Sequence, residues 1–283
     1  MSQRTVRWLI LGLLLGLNLM LLIYQFSAAR AEKMVSGEQM EAVFKLYRQD
    51  QVTFSEMPDG SNPVFYNLRL STADVDRMAE RFLEGESYDK SYIYGSKVQY
   101  KHGSVTLLSN RPQHTLTYTN DAITEWEAPP GLAEEELITM LQPVARRFAE
   151  NWLGEVYLSE WRKDVYGYRF VYRQLKNGLI YYFNSISLVV TMDGVKAAVL
   201  TVWDVDEQTE RVESLPVDEM LYAGLRKILE QGEAPGNVSR IYDGYIIGSV
   251  AGAAGAEEAV AVPVQTLIMD TGRSITTRYS GKN

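Results

Sequence analysis

The sequence predicts an α+β fold: an N-terminal transmembrane helix followed by an exported region of repeated helix-plus-antiparallel-meander units. Three observations predict it. Residues 8–26, WLILGLLLGLNLMLLIYQF, carry no charge, and the 22 uncharged positions between Arg7 and Arg30 would make roughly 33 Å of helix, enough to cross a hydrocarbon core of about 30 Å. After that segment, amphipathic helical stripes recur about every 70 to 80 residues. Each stripe is followed by β-branched and aromatic text punctuated by turn dipeptides, Asn177-Gly178 and Asp193-Gly194 among them.

The head, with Arg4, Arg7 and the free amine ahead of the apolar run, reads as an uncleaved export signal whose tail stays in the cytoplasm. The large part of the chain is then expected outside the cell membrane. Arg30 and Lys33 almost balance the positive-inside count. Ala29-Arg30-Ala31 has the A-x-A form of a cleavage site, but the apolar stretch exceeds the usual core of a cleaved signal, and a retained single-pass anchor is expected.

Four regions are expected. Residues 1–30 form the cytoplasmic head and membrane helix, and 31–128 a membrane-proximal α+β region. Residues 129–210 form a helix-plus-meander unit, and 211–283 a second, similar one. In the first region, Met40, Val43, Phe44 and Tyr47 make one stripe over 38–49. Ser71 with Asp74 three residues on gives a capping signature before Val75, Met78 and Phe82. Strands are expected over 92–100, 104–109 and 114–119, split by His102-Gly103 and a turn containing Pro112.

The second unit opens after Pro129, Pro130 and Gly131 with a helix whose apolar face is Leu137, Leu141, Val144, Phe148 and Trp152. Pro143 is expected to kink or break it near Gln142. Its strands read as a three-stranded meander. The last unit places Leu221, Leu225, Ile228 and Leu229 on a helix over 218–230, followed by strands over 239–249, 260–269 and 274–279. Tyr166-Gly167-Tyr168 answers Asp243-Gly244-Tyr245, and Thr191-Met192-Asp193-Gly194 answers Met269-Asp270-Thr271-Gly272, so a duplication is plausible. The alanine- and glycine-rich residues 251–258 read as a mobile loop.

Charge and motifs narrow the function. Beyond Ala31 the chain holds 36 acidic and 25 basic residues, a formal −11, with no basic run of the kind that binds nucleic acid. It has no cysteine, hence no disulfide and no thiolate metal ligand. Asp270-Thr271-Gly272 matches the aspartic-protease tripeptide, but it occurs once and Arg273 follows it, which fits a hairpin turn better. Ser87 and Lys90 make an S-x-x-K without companion motifs. His102 and His114 lack zinc spacing, and no phosphate-binding glycine loop is present. The pairs Glu125 with Glu127 and Asp204 with Asp206 read as solvated strand faces rather than a glycosidase pair. No catalytic residue, metal ligand, cofactor-binding residue or small-molecule cofactor is therefore expected. The 18 tyrosines, gathered over 88–100, 157–182 and 242–245, are sheet residues whose surplus hints at an interaction surface.

One family shares this layout. The basic head ending in Trp8, the apolar helix with Leu17-Asn18-Leu19 closing on Tyr24-Gln25-Phe26, the anionic exported region and a terminal Gly-Tyr, Pro-Val, Asp-x-Gly strand series resemble the YycH/YycI family, closer to YycI. The resemblance implies a non-enzymatic, membrane-anchored accessory regulator of a two-component sensor histidine kinase that controls cell-wall homeostasis. Its implied partners are that kinase and a paralogous membrane-anchored regulator. A membrane-tethered module that binds wall glycan or peptide is the alternative. In the anchor, Gly12 and Gly16 have small-x-x-x-small spacing and Asn18 lies near mid-membrane, so these three are the candidate intramembrane contact.

Overall fold

The computed structural model describes residue 20 and residues 35–58, 63–93, 95–124, 131–212, 215–250 and 258–279. From residue 35 onward these form a mixed α+β fold, four helices on one 14-stranded sheet. No helix among the described residues is long and apolar enough to cross a membrane. Apart from Met20, the apolar segment over 8–26 lies outside them, and so do Gly12, Gly16 and Asn18.

Helix α1 (Gly37–Gln49) starts at a capping box, with the Gln39 N–H donating to Ser36 Oγ at 3.2 Å and the Ser36 N–H to Gln39 Oε1 at 3.1 Å. It buries Met40, Val43 and Tyr47. Strands β1 (Val52–Phe54) and β2 (Tyr66–Thr72) follow, then α2 (Val75–Phe82). The cap of α2 is Asp74, which accepts from the Arg77 N–H at 3.0 Å. Ser71, expected to share that cap, lies on β2, where its hydroxyl donates to Asp206 at 2.6 Å. The single strand expected over 92–100 is a hairpin of β3 (Asp89–Ile93) and β4 (Lys97–His102). Ile93 pairs with Lys97, and in the turn between them Gly95 and Ser96 take left-handed backbone, with φ of 82° and 67°. The meander continues through β5 (Val105–Asn110) and β6 (Thr115–Asn120).

Helix α3 (Glu134–Leu153) runs unbroken through Pro143. Packing overrides the lost backbone donor: Leu141 and Ala145 on either side are buried against the sheet, and the Tyr172 hydroxyl donates to the Gln142 carbonyl at 3.2 Å. The buried face is Leu137, Ile138, Leu141, Ala145, Ala149 and Leu153, which leaves Val144 exposed and Phe148 and Trp152 half-buried at the rim. The alanines choose this face because they let the helix axis approach the sheet closely. The expected three-stranded meander has four strands, β7 (Val156–Asp164), β8 (Gly167–Lys176), β9 (Leu179–Thr191) and β10 (Gly194–Thr201). Next come β11 (Trp203–Arg211) and α4 (Val217–Glu230), then β12 (Gly236–Val250), β13 (Glu258–Met269) and β14 (Ser274–Arg278). Leu221, Leu225 and Ile228 of α4 are buried as expected, while Leu229 is exposed.

Three cores hold this together. The first lies between α2, α3 and strands β4 to β10, around Tyr100, Leu107, Leu141, Phe170, Tyr172 and Leu188. The second joins α1, α4, β1 and β12 to β14, with Tyr47, Leu221, Leu267 and Ile275. The third fills the space around β2, with Phe65, Leu70, Phe183, Trp203, Tyr245 and Tyr279. Strand β9 links them by changing neighbours. Its first residues pair with β12 in parallel, Ile180 with Gly244 and Tyr181 with Tyr245, and its later residues pair with β10. The register against β8 jumps at the same point, from Gln174 with Tyr181 to Arg173 with Ser185. Asn184 sits buried at the fork. Its side-chain amide donates to Gln174 Oε1 at 2.9 Å and to the Trp203 carbonyl at 3.1 Å, and its oxygen accepts from the Trp203 N–H at 2.7 Å.

Candidate functional site

The fork in β9 sets up a six-strand curl in the order β7-β8-β9-β12-β13-β14. Laid flat, five strand spacings would separate β7 from β14 by roughly 24 Å. Here β7, through Tyr157, Ser159, Glu160 and Trp161, lines one wall of a cleft of about 730 Å³, and the turn from β13 into β14, through Thr271, Arg273 and Ser274, lines the other. Among the described residues β7 pairs only with β8 and so presents an unpaired edge to the cleft, whereas β14, paired only with β13, reaches the cleft at Ser274 and has its Thr276 carbonyl accepting from Lys227 Nζ at 2.5 Å.

Alternation along each strand decides what points where. On β7 and β8, Leu158 and Tyr172 pack toward α3, whereas their neighbours Tyr157 and Arg173, paired in register, point into the curl. On β13 and β14, Leu267 and Ile275 belong to the helix-side core, and the row Tyr242, Thr266, Thr276 runs across β12, β13 and β14 on the opposite face. The two faces meet. Tyr157 packs on Tyr242 with ring centroids 5.1 Å apart, and the Tyr182 hydroxyl donates to Thr266 Oγ1 at 2.7 Å. Burial pushes the Tyr157 phenol up to about 12, and burial also raises Tyr182, so both stay neutral donors at neutral pH.

Arg173 is the charged group of this interior. Its Nη1 donates to the Tyr182 carbonyl at 2.9 Å, its Nε is buried without a partner, and no carboxylate lies within ion-pair reach among the described residues. Burial pulls its pKa down, with Tyr182 and Glu160 acting the other way. Arg240 lies on the rim, its Nη1 donating to the Tyr242 hydroxyl at 3.1 Å. Arg273, at the mouth, is paired with Glu233.

The tyrosines that the sequence singled out divide in three. Tyr157 lines the cleft and packs on Tyr242, and Tyr182 bonds to Thr266. Tyr168, Tyr172 and Tyr100 are core residues, and Tyr245 packs on Tyr181 at 5.7 Å in the third core. Tyr92 is exposed on the edge strand β3. Arg173 was not visible in the sequence, because an arginine between two strand residues carries no local signal of where its partners are.

The remaining motif residues lie apart from one another. Asp270 is in the β13–β14 turn, its N–H donating to the Asn237 carbonyl at 2.8 Å. Lys90 pairs with Glu80 at 2.8 Å. His102 Nδ1 is 2.7 Å from the Ser87 carbonyl, and its Nε2 is 3.6 Å from Glu86. His114 stacks on Trp203 with centroids 3.8 Å apart. Asp204 and Asp206 lie on β11, where partial burial and the Asp206 charge raise the Asp204 carboxyl. Glu125 and Glu127 are outside the described residues. Among the described residues no group of three or more His, Asp or Glu is placed to hold a metal ion.

No family model and no curated protein matches this chain. Among solved structures it is similar to an uncharacterized protein from Eubacterium rectale, at 11% identity over 83% of this chain and 90% of that one, with a TM-score of 0.45. It is similar also to the Bacillus megaterium YpeB C-terminal domain, at 11% identity over 75% of this chain and 94% of that one, with a TM-score of 0.43. Both likenesses are too distant to carry a functional argument.

Proposed function

We propose that this chain is a non-enzymatic, single-pass membrane-anchored regulator of a two-component sensor histidine kinase controlling cell-wall homeostasis, of the YycI kind. It acts by contact, through its apolar N-terminal helix with Gly12, Gly16 and Asn18 and through its extracytoplasmic region. The observation that supports the extracytoplasmic half of this reading is the cleft beside the unpaired edge of β7, since such edges are a common means by which one chain takes hold of another. Photo-crosslinking from the Trp161 position of the intact protein in its own membrane, followed by identification of the attached chain, tests it. A sensor kinase or a paralogous regulator is the expected product. Crosslinks to neither, with efficient labelling of other material, would remove the proposal. Replacing Gly12 and Gly16 with leucine separately tests the membrane half, where association with the kinase's membrane helices is expected to fall.

A wall-binding module is the second reading, favoured by Tyr157 and Trp161 on one wall of the cleft. Retention of the purified protein on isolated wall material, lost on changing Trp161 to alanine, would favour it over the first.

A further inference from the structure

We infer that two copies of this chain pair through the edge strand β3, antiparallel and centred on Ser91, so that their sheets join into one. The surface lies on a different part of the sheet from the cleft, and the inference does not depend on the regulatory reading. Strand β3 ends the sheet path and, among the described residues, pairs only with β4. All five of its residues are exposed, Tyr92 at 79%.

The two ends of the path are guarded differently. At the far end, β11 carries Asp204, Asp206, Glu207 and Glu210 against Arg211 alone, and its register against β2 is broken twice. Clustered like charge and bulges are the ordinary protection of an edge against pairing. Strand β3 has neither: it carries one aspartate and one lysine, contains no proline, and keeps an unbroken register with β4 from Asp89 to Ile93. Such an edge is a template for another strand.

Charge and register select a second copy as the occupant. Alternate residues of an antiparallel edge turn both their N–H and C=O outward, so a self-paired strand must be centred on a residue. Centring on Lys90 would set two lysines against each other, and centring on Tyr92 would leave Asp89 and Lys90 without partners on β3. Centring on Ser91 uses the whole strand, about 17 Å of ladder. Lys90 then faces Tyr92 of the second copy, Asp89 faces Ile93, and Ser91 faces its own counterpart. No like charges stand opposite one another. The rows already begun in β4 continue across the join. Lys90 lies opposite Tyr100, with its Nζ 5.1 Å from that ring and 5.8 Å from the Tyr92 ring, and Glu80 holds the ammonium there at 2.8 Å. Tyr92 of the second copy extends this cation–aromatic row. On the other face Ser91 donates to Gln99 Oε1 at 3.4 Å, and Asp89 lies opposite Lys101.

The chain has no cysteine, so a single introduced thiol reports only its own neighbour. In the full chain in lipid vesicles under mild oxidation, S91C is expected to give a covalent dimer, and Q208C, exposed on β11, to give none. Tyr92 is exposed, so its replacement leaves the core intact. In the S91C background Y92K, which sets a lysine against Lys90 of the second copy, is expected to slow crosslinking about tenfold or more, whereas Y92E, which sets an opposite charge there, keeps it within roughly threefold. Amide hydrogen exchange over 89–93 in the unaltered chain is expected to slow as protein concentration rises, a readout that needs no thiol.

Absence of an S91C dimer, an equal yield from Q208C, equal effects of Y92K and Y92E, or exchange over 89–93 that ignores concentration would each overturn the inference. Attachment of S91C to a different protein in the native membrane, with no dimer of this chain, would overturn it too. An S91C dimer without any kinase crosslink from the Trp161 position would leave the pairing standing and defeat the regulatory reading alone.

Discussion

The two meander units meet along two seams, and the seams differ in one respect. On the closed side, β9 and β12 are hydrogen-bonded in parallel through two register pairs, Ile180 with Gly244 and Tyr181 with Tyr245. On the other side, β7 and the turn from β13 into β14 face each other across the open cleft. What closes the first seam is a missing side chain. A Cβ on Gly244 would lie 2.3 Å from the Ile180 carbonyl oxygen, so the backbones approach because nothing stands between them. At the cleft, β7 instead carries Tyr157, which packs on Tyr242, and a bulge between Leu158 and Glu160.

The most damaging test of that comparison is G244V, which forces a branched side chain into the closed seam. We expect a loss of about 3 kcal/mol or more and a Tm lower by roughly 6–12 °C, read by thermal and urea unfolding. A change below about 1 kcal/mol would mean that the glycine does not hold the seam. N184A removes the amide at the fork and leaves the Trp203 N–H and carbonyl without partners. It is expected to cost about 2–3 kcal/mol, with hydrogen exchange quickening at Trp203 and along the end of β10. Y182F deletes only the hydroxyl bond that ties β9 to Thr266 on β13. About 1 kcal/mol is expected, and a double-mutant cycle with T266V should recover most of it as coupling.

The smallest effect sharpens the open side. Partial burial pushes the Asp164 carboxyl up, but the Arg169 guanidinium, with the Tyr166 and Val165 backbone, outweighs it, so the group sits below its ordinary value. A lowered folded value means that Asp164 contributes stability above the unfolded carboxylate range, near pH 4. That contribution is lost as pH falls through the lower folded value. Below about pH 4 the tip of the β7–β8 hairpin should therefore loosen in exchange measurements while the Gly244 seam does not. D164N should show no such acid step.

Local chemistry was legible in the sequence. Asn177 and Gly178 take φ of 53° and 77°, the two left-handed residues that a tight hairpin needs. A hairpin also joins β9 to β10 as expected, but Thr191 pairs with Gly194, so its turn residues are Met192 and Asp193 rather than Asp193 and Gly194. Four helices fall where the periodic stripes put them, within a few residues. The resemblance between Tyr166-Gly167-Tyr168 and Asp243-Gly244-Tyr245 also has a physical counterpart. A Cβ at Gly167 would lie 2.3 Å from the Val190 carbonyl, so both glycines press on β9, one from an antiparallel and one from a parallel neighbour.

What escaped reading is non-local. The Gly95-Ser96 turn was passed over because serine is a weak left-handed residue, and Val144 was placed inside because a helical stripe does not say which of two adjacent faces meets the sheet. The cleft depends on Ile180 finding Gly244, and no spacing in the text announces that. A surplus of tyrosine was visible; which of them would meet was not.

The docking of α1 has a consequence for the order in which the chain is made. Tyr47 donates to the Leu221 carbonyl at 2.5 Å across 174 residues, and β1 lies parallel to the first residues of β12. At synthesis rates of about 5–20 residues per second, α1 would wait roughly 10–35 s for that partner. During that interval Met40, Val43 and Phe44 have no core to enter, because α4, β13 and β14 do not yet exist. Helix α1 is thus made well before the elements that bury it, and a ribosome stalled anywhere before residue 217 would leave its apolar stripe uncovered.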